Sequence, residues 1–186
     1  MGTSWQNIKA EARKRLTIGG EPAVELDYRN LHPAILYAEA GATMPADCYM
    51  IDGWPRKLVK VGVLTLINAP TIHKARHAIA HSPRMAESVE PGSQEALRKA
   101  NALIDAIKRL HRPIAGAFHS DAGARLMHID AALAEAVMKT MLMQGTVILP
   151  VHDSFLVPAS QCDRLEDAML EAAHEVGIYA LKVDVK

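Results

Sequence analysis

Four side chains in this 186-residue chain have the types and settings that phosphoryl transfer uses. Asp27 closes the apolar run Ala23-Val24-Glu25-Leu26, and Asp153 follows Val147-Ile148-Leu149-Pro150-Val151-His152. Arg56 and Lys60 stand one helical turn apart between them. Two carboxylates delivered at strand ends can hold a pair of divalent ions about 3.5–4 Å apart, one activating an attacking oxygen and one steadying the leaving phosphates. Mg²⁺, with Mn²⁺ as its substitute, keeps several waters, so two aspartates suffice as protein ligands. An Arg and a Lys on one helix face answer the charge of a triphosphate. Taken singly, a strand-end Asp is more often a turn or helix-cap residue. The combination is what carries weight.

Local patterns supply elements that can position these groups. Residues 22–29 read as a strand, and 31–40 as a helix with Pro33 in its first turn, where a missing N–H costs little. Residues 42–55 are a loop. The stretch 56–69 is helical and stopped by Pro70, and 71–81 is a second, basic helix. Residues 82–93 form a loop rich in Pro, Gly and Ser. A helix over 94–111 places Leu97, Ile104, Ile107 and Leu110 on one face. A long helix over 123–144 leads into strands 146–151 and 154–157, which meet at His152-Asp153 as a hairpin with almost no loop. A helix over 159–175 and a strand over 180–185 close the chain, while 5–16 read as a short basic helix ended near Gly19-Gly20. The fold class is therefore α+β, rich in antiparallel pairing.

Composition narrows the partners. Half of the residues (49%) are hydrophobic but only 4% are aromatic, so aliphatic residues and Met must fill the core. No apolar run reaches about 18 residues, so no membrane partner is expected. The opening Met1-Gly2-Thr3-Ser4 lacks a signal peptide's apolar segment. Cys48 and Cys162 lack metal-ligand spacing and read as thiols of a reducing cytoplasm. Net charge is zero, yet residues 56–112 hold eleven Lys and Arg against four acids, a surplus of seven balanced by acidic flanks. That division suits a protein that holds phosphates with one part and cations with another. His73 and His77, four apart beside Lys74 and Arg76, fit phosphate contact or solvation better than a metal pair.

The wording around the candidates resembles a family. Asp27-Tyr28-Arg29-Asn30-Leu31-His32-Pro33-Ala34-Ile35-Leu36 resembles motif A of right-hand polymerases. The stretch from Arg56-Lys57-Leu58-Val59-Lys60 to Ile67-Asn68-Ala69 resembles motif B of family A DNA polymerases and phage-type single-subunit RNA polymerases. Val151-His152-Asp153-Ser154-Phe155 is similar to their motif C, and Phe118-His119-Ser120-Asp121-Ala122-Gly123-Ala124-Arg125 to the segment opening the helix before it. Four motifs in order imply a palm over 1–51 and 113–186, with a reduced, fingers-like helical insertion over 52–112. The resemblance implies Asp27 and Asp153 as metal ligands, and Lys60 as catalytic with them. Arg56, Lys60, His32 and Asn68 would meet the nucleotide, and His119, His152 and Arg125 the primer–template. The implied function is template-dependent nucleotidyl transfer from nucleoside triphosphates, in a bacterial or phage-like setting of DNA replication.

The departures define the alternatives. Ser154 stands where family A DNA polymerases carry Glu, as in the RNA polymerases. Asn68-Ala69 occupies the place of a Tyr-Gly pair. The bulky His32, at the sugar-proximal position, leans toward deoxynucleotides, and DNA synthesis is set slightly ahead of RNA synthesis. Only 26 residues precede Asp27, too few for a thumb, which would come from a longer protein or a partner chain. A thumbless palm neutralises fewer phosphates and holds duplex weakly. A second reading is a palm-derived nucleotide- or nucleic-acid-binding or regulatory module without turnover. A third, a nuclease, needs a further acid, and Glu25, two residues from Asp27 on the same strand face, is the spare one.

Overall fold

The computed structural model describes residues 5–120 and 122–186. The residues preceding Trp5, and Asp121 of the segment before the long helix, lie outside that description. The chain is α+β, an open antiparallel sheet backed by helices, and it divides into two compact units. One comprises residues up to Ala34 with His128–Lys186, and the other Ile35–Met127.

The first unit is built on β2 (Glu21–Arg29), which pairs with β4 (Ser154–Pro158) on one side and β5 (Lys182–Val185) on the other. A short β1 (Thr17–Ile18) also pairs with β2, and β3 (Leu149–Val151) borders β4, giving the order β1-β2-β4-β3. Period-two alternation sorts the faces. Leu26, Tyr28, Phe155 and Val157 are buried, and α8 (Cys162–Glu175) packs against β2, β4 and β5. The Tyr28 hydroxyl donates to the Met169 carbonyl of α8 at 2.7 Å. Glu25, Asp27 and Arg29 fall on the opposite, polar face.

Residues 5–16 do not form the single helix expected of them. A 3₁₀ turn at Trp5–Asn7 and a four-residue α1 (Ala10–Arg13) are followed by the β1–β2 hairpin. Gly19 and Gly20 both have positive φ, +61° and +89°, the backbone a tight hairpin turn requires. Neither short element buries a residue, so no packed face sustains a longer helix there.

The second unit packs α3 (Arg56–Asn68), α4 (Ile72–Ala80) and α6 (Gln94–Leu110) together. Val59, Val63, Leu66, Ile67, Ala75, Ile79, Leu103, Ile104 and Ile107 fill that core. Gly62 lets α3 approach α6, because a Cβ there would lie 2.5 Å from Ile107 Cδ1. Thr71, Ser82 and Ser93 cap their helices by accepting from backbone N–H groups three residues on. The Ser82 cap, with Pro83 in the first turn, starts a one-turn α5 (Pro83–Ala86) inside a segment expected to be loop. Two further helices, α2 (Leu31–Glu39) and α7 (Ala122–Met143), contain the points at which the chain divides into the two units. Among the described residues no helix is long and apolar enough to cross a membrane.

His111, fully buried, ties this unit together. A carbonyl can only accept, so Nε2 donates to the Cys48 carbonyl at 2.8 Å and Nδ1 accepts from the Tyr37 hydroxyl at 3.1 Å. Burial holds the ring below its ordinary pKa, against the pull of the Cys48 carbonyl. The unfolded chain therefore binds a proton that the folded chain refuses once pH drops below about 6.5. Stability from this group is complete above that pH and is lost as pH falls toward the folded value. Melting curves from pH 8 to pH 5 should fall more steeply for the native chain than for His111→Gln, with the difference capped at about 1.4 kcal/mol per pH unit.

Candidate active site

The register of β2 is what assembles the carboxylates. Asp27 pairs with Ser154 on one side and Asp184 on the other. Asp153 immediately precedes Ser154, in the two-residue turn joining β3 to β4. Asp27 on β2 and Asp153 in the turn leading into the neighbouring β4 are thus brought close enough for the charge of Asp153 to act on Asp27. Burial pushes the Asp27 carboxyl up, Lys186 pulls it down, and Asp153 and Glu25 push it up again; the net shift is upward.

Lys186 lies beside Asp27. Its Nζ lies 2.7 Å from Asp27 Oδ2 and 3.9 Å from Glu25 Oε1. The other oxygen, Asp27 Oδ1, is buried with no hydrogen-bond partner, which fits a group that completes its coordination with an ion. Among the described residues no cluster of three or more His, Cys, Asp or Glu forms a metal cage. Two carboxylates supplemented by water and substrate oxygens suit Mg²⁺ or Mn²⁺ better than such a cage.

A further acid escaped the sequence reading. Asp130, half-buried on α7, is raised by burial and by the charge of Asp153, and lowered by His32. His32 thereby joins the carboxylate neighbourhood. The missed signal is periodicity: Asp130 falls in register with Leu126, Leu133, Val137 and Met141, all buried on that helix. An acid in an apolar stripe needs a reason. Glu25, by contrast, is fully engaged. Arg13 Nε and Nη2 donate to its two oxygens at 2.8 and 2.9 Å, and Ser154 Oγ donates to Oε1 at 2.6 Å. A metal at Glu25 would have to compete with the Arg13 guanidinium, which weighs against the nuclease reading.

In the second unit Arg56 and Lys60 cover the ring of the buried Tyr49, at 5.3 and 5.7 Å from its centroid. Burial pushes the Tyr49 phenol up to about 12, so a neutral ring lies beneath two cations. Arg56 Nε also donates to Asp47 Oδ2 at 2.6 Å. Asn68, at the end of α3, donates to the Leu64 carbonyl at 2.8 Å. A Cβ on Gly123 would lie 2.2 Å from Asn68 Oδ1, so the start of α7 approaches Asn68 only because residue 123 is glycine.

His119 lies nearby, with its N–H donating to the Leu66 carbonyl at 3.0 Å. Its backbone is left-handed at φ +60°, both ring nitrogens are buried and unpartnered, and burial, with the charge of Lys108, holds the ring below its ordinary pKa. Arg125 forms a two-pronged pair with Glu39, one contact being Nη2 to Oε2 at 3.0 Å. His152 is exposed at φ +54° in the hairpin turn. No known protein-family model matches the chain, and no curated protein sequence matches it.

The raised Asp27 carboxyl gives a test of sign. Its charged form is less favourable in the folded chain than in the unfolded one, so Asp27→Asn removes a net cost at neutral pH. The half-exposed Lys186 loses little, being solvated. Calorimetry should show Asp27→Asn melting higher than the native chain without metal, by about 2–4 °C for each kcal/mol. It should also show Mn²⁺ raising the melting temperature of the native chain only.

Proposed function

We propose that this chain is a template-dependent nucleotidyltransferase with a right-hand palm, working on a primer–template in the cytoplasm and favouring DNA synthesis over RNA synthesis. One observation carries the reading: Asp27 on β2 pairs with Ser154, the residue after Asp153 of the adjoining hairpin turn, so the charge of Asp153 reaches Asp27, whose Oδ1 is buried and unpartnered. The order of the four motifs supports it.

In this reading Asp27 and Asp153 hold Mg²⁺ or Mn²⁺. When bound, the ions lower the pKa of the primer 3′-hydroxyl and steady the triphosphate. Arg56 and Lys60 neutralise the triphosphate, with Tyr49 supporting both cations and Asp47 fixing the Arg56 fork. His32 shapes the sugar subsite beside Asp130, and Asn68 stands where a base-stacking Tyr is replaced. His119 and His152 present imidazoles to the nucleic acid. Arg125 joins them on exchanging its Glu39 partner for phosphate.

A second reading, a palm-derived binding or regulatory module, is favoured by the Lys186 ammonium on Asp27 and the Asp47 carboxylate on Arg56. Both ion pairs already neutralise groups that the enzyme reading assigns to the metal ions and the triphosphate.

Primer extension separates the two. The chain, given Mg²⁺ or Mn²⁺, primed DNA or RNA template and either nucleotide set, should yield product that vanishes in Asp153→Ala. Lys60→Ala should lower kcat/KM for the nucleotide about ten- to a hundredfold, the range for losing a hydrogen bond to a charged group. Binding of nucleotide or primer–template with no extension under any combination selects the module.

A further inference from the structure

The hairpin that presents Asp153 is strained. Its first turn residue, His152, has φ +54° in a two-residue turn, a place that favours glycine. A non-glycine residue held there costs on the order of 1 kcal/mol, so surrounding contacts must over-determine the turn. Those contacts converge on Ser154, which is 1% exposed. Its Oγ lies 2.6 Å from Glu25 Oε1 and 2.9 Å from the Val151 carbonyl oxygen. A hydroxyl has one proton, and the closer, charged oxygen takes it.

Glu25 is itself immobilised. Arg13 grips both its oxygens and anchors through Nη1 to the Ile8 carbonyl at 2.8 Å. The Arg13 and Glu25 side chains are only 13% and 8% exposed. Burial pushes the Glu25 carboxyl up, but Arg13, Ser154 and Lys186 outweigh it and hold the group ionised. From β3, the Pro150 carbonyl accepts from Trp5 Nε1 at 2.9 Å.

We propose that Arg13 and Glu25 are positioning residues for Asp153: acting through the Ser154 hydroxyl, they fix the hairpin so that the Asp153 carboxylate faces Asp27. The clamp also gives Glu25 a role other than metal binding. Its consequence for metal affinity rests on the reading of Asp27 and Asp153 as the metal ligands, whereas its effect on the hairpin does not.

The test uses the full chain and two variants. Ser154→Ala removes the hydroxyl and leaves the Arg13–Glu25 pair whole; Glu25→Gln keeps an oxygen facing the hydroxyl but removes the charge. Amide hydrogen exchange, read by NMR, should accelerate about five- to tenfold at the hairpin in Ser154→Ala, with α8 unchanged as an internal control. Mn²⁺ affinity, titrated by electron paramagnetic resonance, should weaken by a similar factor, and Glu25→Gln should shift both readouts the same way by less.

Unchanged hairpin exchange in Ser154→Ala overturns the proposal, as does faster exchange with Mn²⁺ affinity equal to the native chain's. If the native chain takes up no Mn²⁺ while the variant's hairpin exchanges faster, the clamp is supported and the metal-site reading falls.

Discussion

The pairing of Asp27 with Ser154 across two antiparallel strands is the constraint on which the site depends. A strand's side chains alternate with period two, so a slip of one residue would turn Asp27 into the apolar layer and Leu26 out of it. Two features forbid the slip. Leu26 and Tyr28 are buried on the α8 face, with the Tyr28 hydroxyl bonded to that helix. On the opposite face Glu25 is bonded to Ser154. One register satisfies both faces, and it is the register that brings Asp153 beside Asp27.

Gathering acids has an electrostatic cost that the unit partly offsets. Burial, with the charge of Asp153 added, makes both Asp27 and Asp130 harder to ionise. Lys186, Arg13 and Arg29 are placed around them, each on a different carboxylate: Asp27, Glu25 and Asp184. The buried pair, Arg13–Glu25, stiffens the sheet's polar face. The more exposed Lys186–Asp27 pair is weaker in water and is the one a divalent ion can displace. A carboxylate cluster of this kind trades stability for a standing demand for positive charge.

Much of this was legible in the sequence, for physical reasons. The two acids stand at the edges of β-rich runs, and Pro70, Gly145 and the Ser or Thr caps mark ends that the backbone respects. The hairpin at His152-Asp153 follows from two short apolar strands with only two residues between them. The unread parts are those where a tertiary partner or a single residue decides. The expected helix over 5–16 breaks into a 3₁₀ turn and a single helical turn, and Ser82 with Pro83 starts a one-turn helix in an expected loop. Asp130 was not marked on the long helix, and Glu25 looked spare because Arg13, twelve residues upstream, is not visibly its partner until the hairpin forms. Lys186 gives no sequence signal, since its role arises only from β5 lying beside β2.

The claim that Asp27 and Asp153 share a pair of divalent ions is tested most directly by the spin coupling of bound Mn²⁺. With two equivalents of Mn²⁺ and a non-hydrolysable nucleotide, the native chain should give the exchange-coupled spectrum of a dinuclear pair about 3.5–4 Å apart, lost in Asp153→Asn. A spectrum of isolated Mn²⁺ ions only, unchanged by that substitution, would contradict the account.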